Sequence, residues 1–339
     1  HRLVGPPALL QPAARTPPET IDAASIHGRR LTAPSLPKTA ADLPLARSTT
    51  LGDFRIHAID AGLQWLDGGA MFGVVPKPLW ERKIRPDERH RIPLALRCLL
   101  VETSDALILV ETGIGNKESE KFTQIYGVDN AAPDGGAGAD RLQAAISHLG
   151  FRLDDIELVI NTHLHFDHAG GNTFRDSHGS VELSFPRARY VVQRGEWDYA
   201  HRTNERTQAS YLRDNFDPVE RSGRFDFTTG ETEIVSGVSV FLTPGHTPFH
   251  QSVLIRSNGA AACYVGDVAP TMSHLPLPWI MGYDVEPLVT LESKRALLRR
   301  AAAESWLLVS THDPLIPWGR VTFDGSTVEF QAFDEVQAP

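Results

Sequence analysis

NTHLHFDHAGG, residues 161–171, places three histidines and one aspartate in the six positions from His163 to His168, directly after the apolar run IELVI. In an extended segment alternate side chains share a face, so His163 and His165 turn to one spot while Leu164 anchors in the core. Asp167 follows two residues later, and His168 lies where the chain leaves the strand. Ala169, Gly170 and Gly171 leave room for a tight turn into a helix. Four side chains of ligand type at the C-terminal end of a strand suit a metal site on a rigid element with an open mouth. A polar loop that happens to contain histidine is the natural reading of a single His. It is a poor reading of this cluster.

Working outward, three more positions follow apolar strand-like runs: His246 in VFLTPGHT, Asp267 in CYVGD and His312 in WLLVSTHD. Each taken singly reads as a surface residue. Together they complement the cluster with enough donors for two metals. Imidazole and carboxylate without thiolate suit Zn²⁺ first, and also Mn²⁺, Fe²⁺ or Co²⁺.

The rest of the chain limits what such a site can serve. Its 339 residues are 41% hydrophobic, enough for a sizeable core. A net charge of −9, with no dense Lys/Arg block, disfavours nucleic acid and anionic membrane surfaces as partners. No apolar run approaches the roughly 20 residues that span a bilayer. The chain opens on His1 rather than Met. That start leaves room for an exported form whose leader has been removed, while the first thirty residues lack a signal-peptide apolar run, so a cytoplasmic location is the default expectation. Cys98 and Cys263 each sit in a strand-like run and read as buried, reduced thiols.

Residues 1–48, rich in Pro, Ala and Thr without sustained periodicity, read as an N-terminal arm ahead of a domain over 49–339. Strands are expected at 54–60, LRCLLVET, ALILVETG, IELVINTHLH, ARYVVQ, GVSVFLTPG, QSVLIRS, AACYVGD and WLLVST, with a last hairpin RVTFDGSTVEF turned by Asp324 and Gly325. ADRLQAAISHLG and LESKRALLRRAAAES read as helices. Two β-rich halves that each supply helices predict an α/β (α+β) sandwich of sheets with helices outside.

HLHFDH, the GHT histidine, the GD aspartate and the late histidine, in that order, resemble the metallo-β-lactamase-fold hydrolase superfamily, in particular its lactonase and organophosphate-hydrolase-like members. The resemblance covers roughly residues 50 to 335 and implies a four-layer αβ/βα sandwich with two divalent metals at one edge. It implies further that His163, His165 and His246 hold one metal, that Asp167, His168 and His312 hold the other, and that Asp267 bridges them. A metal-bridging hydroxide would then be the nucleophile, with Asp167 or Asp267 moving a proton to the leaving group.

This sequence departs from relatives in two places. Their DTG triplet is here Glu111, Thr112 and Gly113, with Glu111 a longer candidate acceptor for an imidazole N–H beside the metals. The tyrosine that lactone-cleaving members often carry three residues after the bridging aspartate is here Pro270. Tyr283, His274 and His250 are the candidates for oxyanion stabilisation, and His250 is also a candidate support for the metal ligands. The apolar, Pro-interrupted segments QWLDGGAMFGVVPKPLW and TMSHLPLPWIMGYD supply candidate pocket residues Met71, Phe72, Trp80, His274, Trp279 and Tyr283. Both segments packing on each other as core, or forming a contact between copies in a homo-oligomer, is the competing reading.

A glyoxalase II-type thiol-ester hydrolase adds a C-terminal helical domain, whereas the segment after His312 reads as a hairpin. The acidic balance disfavours a nuclease. A dinuclear metal-dependent hydrolase of a small apolar lactone or ester is the expectation. An organophosphate triester or phosphodiester hydrolase is the alternative, and a metal-binding ligand sensor without turnover is the reading from another class.

Overall fold

Period-two alternation sorts the side chains of each strand onto two faces. In strand Phe54–Asp67, Ile56 and Ala58 enter one core while Ile59 and Ala61 enter another; in Arg91–Glu102, Leu99 and Val101 oppose Cys98 and Leu100 in the same way. The computed structural model describes residues 35–133 and 140–333, and the chain from Leu36 onward forms one compact unit.

The first sheet runs Ala46–Leu51, Phe54–Asp67, Arg91–Glu102, Leu107–Val110, Leu158–Ile160, Arg189–Gln193 and Phe225–Thr228, antiparallel through the fourth strand and parallel thereafter. The second runs Thr232–Val235, Val238–Leu242, Gln251–Ser257, Ala260–Tyr264, Leu307–Val309, Trp318–Phe323 and Val328–Ala332. It is antiparallel except where Ala260–Tyr264 meets Leu307–Val309. Between the sheets, Ile56, Val101, Ile108 and Ile160 pack with Val240, Val253, Tyr264 and Trp318.

Helices close both outer faces. Arg141–His148, capped by the Asp140 carboxylate accepting from Gln143 N–H, sets Leu142, Ala145 and Ile146 on Ile59, Leu100 and Leu109. Pro287–Ala303 sets Leu297, Leu298 and Ala301 on Leu254, Cys263 and Leu308. The result is the four-layer αβ/βα sandwich. Both cysteines are buried and free, and no helix among the described residues is long and apolar enough to cross a membrane.

Of the arm expected over 1–48, residues 1–34 lie outside the described residues. Ala40 and Leu43 are buried with Leu63 and Ala95, and Ala46 begins the first strand, so the expected boundary at 48/49 falls within a strand.

The strand expected over IELVINTHLH is shorter than its apolar pattern. Ladder pairing stops at Ile160, and His163 and His165 lie beyond the strand. The backbone there crosses between sheets: Asn161 N–H donates to Val191 O at 3.0 Å, and Thr162 O then accepts from Gln251 N–H of the second sheet, also at 3.0 Å. His165 caps the short helix Phe166–Ala169.

Close approach is what requires the two glycines that follow. A Cβ on Gly171 would sit 2.2 Å from Thr112 O, and one on Gly170 would sit 2.2 Å from Ile114 O. The turn is zipped against residues 112–114, with Thr112 N–H donating to His168 O at 2.8 Å and Gly171 N–H to Gly113 O at 3.1 Å. Gly171→Ala must push two backbones apart, and we expect it to cost on the order of 3 kcal/mol. Denaturant unfolding would show this as a lowered midpoint, and an unchanged midpoint would refute the close-packing account.

Candidate metal centre

All seven side chains of the motif meet where the strand C-termini of both sheets converge. His163, His165 and His246 form one group with ligand atoms within 4.8 Å of one another, and Asp167, His168 and His312 form a second. A third group, Glu111 with His163 and His168, shares two residues with these. Asp267 lies between the first two. Its Oδ2 is 3.2 Å from His246 Nε2 and 3.4 Å from His168 Nε2, and its Oδ1 is 3.3 Å from His312 Nε2.

The surrounding hydrogen bonds fix which imidazole atoms face inward. His312 Nδ1 lies 2.8 Å from the Ala95 carbonyl and must donate to it, which turns Nε2 inward. His246 Nδ1 lies 2.9 Å from Asp284 Oδ1, and its Nε2 is likewise turned inward. Those nitrogens face other ring nitrogens: His312 Nε2 is 3.3 Å from His168 Nε2, and His246 Nε2 is 3.1 Å from His165 Nδ1. His163 Nε2 and Asp267 Oδ1 are buried with no hydrogen-bond partner among the described residues. Ring nitrogens this close repel unless a proton or a metal cation lies between them. Burial first, then the neighbouring imidazoles, holds His163 and His165 well below the usual histidine range, so those two rings stay neutral. Nitrogen and carboxylate donors converging in this way fit divalent metals.

Neighbouring residues brace the cluster. Glu111 sits at φ +63°, a left-handed conformation rare for a non-glycine residue. Its carboxylate accepts from Thr162 N–H at 2.9 Å and from the Thr162 hydroxyl, and lies 3.4 Å from His168 Nδ1. Gln64 Nε2 donates to Asp167 Oδ2 at 2.6 Å. His250 Nε2 accepts from Asp267 N–H at 3.0 Å while Nδ1 meets the Thr243 hydroxyl at 2.9 Å, and burial pushes its pKa down to about 3. A neutral ring with both nitrogens engaged has no proton for an oxyanion.

A cavity of about 450 Å³ opens over the cluster. His165, Asp167, His246, Asp267 and His312 form its floor; Leu66, Met71, Leu94, Phe166, Met281 and Val285 form apolar walls; Tyr126, Tyr283 and Arg206 are among the other lining residues. Met71 and Tyr283 thus face the cavity.

The other pocket candidates do not. Phe72 and Trp80 are buried and stack at 5.5 Å, Trp279 meets Phe72 edge-on, and His274 stacks on Phe72 at 4.5 Å. His274 also uses both nitrogens, donating from Nε2 to Met71 O at 2.9 Å and accepting from the Thr271 hydroxyl at 2.8 Å. The reason is mutual packing: the two apolar loops form a small core behind the cavity. Lys294 locks it by donating to the carbonyls of His274, Pro276 and Trp279 at 2.8, 3.1 and 2.6 Å. Gln64, Tyr126, Arg206 and Asp284 escaped the sequence reading because each joins the site through a partner far away in the chain.

Comparison with known proteins identifies the family and the fold. Residues 92–312 match the family model described as the metallo-beta-lactamase superfamily. An N-acyl homoserine lactonase from a Bacillus species is 32% identical over 168 residues, which is 49% of this chain and 60% of that protein. The chain thus spans about 60% of the length of this curated relative. A crystal structure of a probable metal-dependent hydrolase from Staphylococcus aureus is 30% identical, with a TM-score of 0.75 over 85% of this chain and 100% of that one. The dizinc quorum-quenching lactonase AidC shares the fold, with 20% identity and a TM-score of 0.71 over 86% of this chain and 98% of its own.

Proposed function

The chain belongs to the metallo-β-lactamase superfamily, and from that premise we propose that it is a dinuclear metal-dependent hydrolase of a small, largely apolar lactone or ester. The observation that carries this reading is the set of inward-facing imidazole nitrogens and carboxylates flooring an apolar cavity. The names of the lactonase relatives support the lactone.

In this reading His163, His165 and His246 hold one metal, Asp167, His168 and His312 hold the other, and Asp267 is shared. The metals, Zn²⁺ or another borderline divalent ion, would acidify water into a nucleophile at neutral pH and polarise the substrate carbonyl. The chain does the remainder. Asp284 and the Ala95 carbonyl keep His246 and His312 in the ligating tautomer. Gln64 holds Asp167 by Oδ2, leaving Oδ1 to take the proton of the attacking water and return it to the ring or alcohol oxygen when the acyl C–O bond breaks. Met71, Phe166 and Met281 exclude water around the acyl chain.

With His250 and His274 otherwise engaged, the Tyr283 hydroxyl is the donor toward the developing oxyanion. Tyr283 is 42% exposed, and its partial burial, with the Asp67 carboxylate adding, pushes its pKa up to about 12, so it stays protonated at neutral pH. Tyr283→Phe is expected to lower kcat roughly 10²-fold with metal content unchanged. An unchanged kcat would remove Tyr283 from the mechanism.

The reading is tested by rates on acyl-homoserine lactones, aryl esters and phosphotriesters, measured side by side on metal-loaded protein. Turnover restricted to phosphotriesters would replace the lactone reading. Two bound metals with no turnover on any substrate would favour a ligand sensor.

A further inference from the structure

Glu196 does not line the cavity, yet it touches both loops that carry the first histidine group. It lies on helix Arg194–Ala200, fully buried. Oε1 accepts from Leu164 N–H, between His163 and His165, at 3.1 Å, and from the Tyr211 hydroxyl at 2.8 Å. Oε2 accepts from the hydroxyl of Thr247, the residue after His246, at 2.7 Å. Tyr211 in turn packs edge-on against the His165 ring, with centroids 4.7 Å apart. One carboxylate therefore ties together three segments, two of which present imidazoles to the same point.

Hydrogen bonds to an ionised acceptor are short and directional, and loss of the acceptor would leave three buried donors unpaired. The second group is braced by other residues: Glu111 beside His168, Gln64 on Asp167 and the Ala95 carbonyl on His312. We propose that Glu196 is a positioning residue that sets the separation of His165 and His246, and thereby the affinity of one metal of the pair, without touching metal or substrate. This rests on the two-metal reading above.

The test is Co²⁺ titration of the full metal-free chain, followed by visible ligand-field absorption, with elemental analysis after dialysis. Wild type is expected to hold two ions. Glu196→Gln keeps the shape but replaces an acceptor with a donor, and should weaken one site roughly 10- to 100-fold while the other is unchanged. Should that variant fail to fold, Thr247→Val and Tyr211→Phe each remove a single donor and should shift the same site in the same direction by less. Two sites of wild-type affinity in these variants, or equal weakening of both, would overturn the positioning role and leave the metal reading intact. A wild type that binds no metal would overturn both.

Discussion

Asp267→Ala is expected to lower kcat/KM roughly 10³-fold or more and to reduce the bound metal, while the far-ultraviolet circular dichroism stays that of the wild type. Asp267 is 5% exposed and lies 3.2 to 3.4 Å from imidazole nitrogens of His246, His168 and His312. Burial alone would raise its pKa, but His168, His312 and His246 outweigh burial and hold it well below the usual carboxylate range. It lies against His246 of the first histidine group and His168 and His312 of the second, so in the two-metal reading its loss removes a shared ligand rather than a peripheral one. The fold should tolerate the change, because the flanking Val265, Val268 and Ala269 keep their packing on the second sheet. Elemental analysis beside steady-state rates decides it. A variant that retained two metals and wild-type turnover would eliminate the shared-ligand role.

Removal of metal by a chelator should abolish hydrolysis and lower Tm, and Zn²⁺, Mn²⁺ or Co²⁺ should restore both. A ligand present at about 1,000 times its Kd stabilises the folded state by about 4 kcal/mol. For a domain of this size that is a Tm shift on the order of 10 °C. The pH dependence follows from the imidazoles, which ligate only when neutral. Burial would lower His168 and His246, yet the Asp267 carboxylate, aided by Asp167 and Glu111 at His168 and by Asp284 at His246, raises both in the metal-free protein. Protons therefore compete with metal, affinity falls as pH falls, and metal uptake releases protons. Calorimetric titration in buffers of different ionisation enthalpy reads that release. Chelated protein with unchanged activity and melting would end the metal reading.

Much of the centre was legible because its residues stand where an apolar pattern stops. His163, His165, Asp167 and His168 fall within six residues, and His246, Asp267 and His312 each follow an apolar strand. The pocket was harder to read. QWLDGGAMFGVVPKPLW and TMSHLPLPWIMGYD have matching apolar character, yet Met71 faces the cavity while Phe72, its neighbour, stacks on Trp80 and His274. Nothing local distinguishes the two side chains. Glu196 and Asp284 were invisible for a related reason: their partners Thr247 and His246 lie 51 and 38 residues away.

Sequence alone determined the two sheets, the helices that cover them and the identity of the converging donors, because strand and helix periodicity is set by neighbours along the chain. Tertiary structure alone decided where the ladder ends before His163, which loop residues face the cavity, and which buried carboxylates hold the histidines. In an irregular segment the direction of a side chain is set by what packs against it, and that partner comes from elsewhere in the chain.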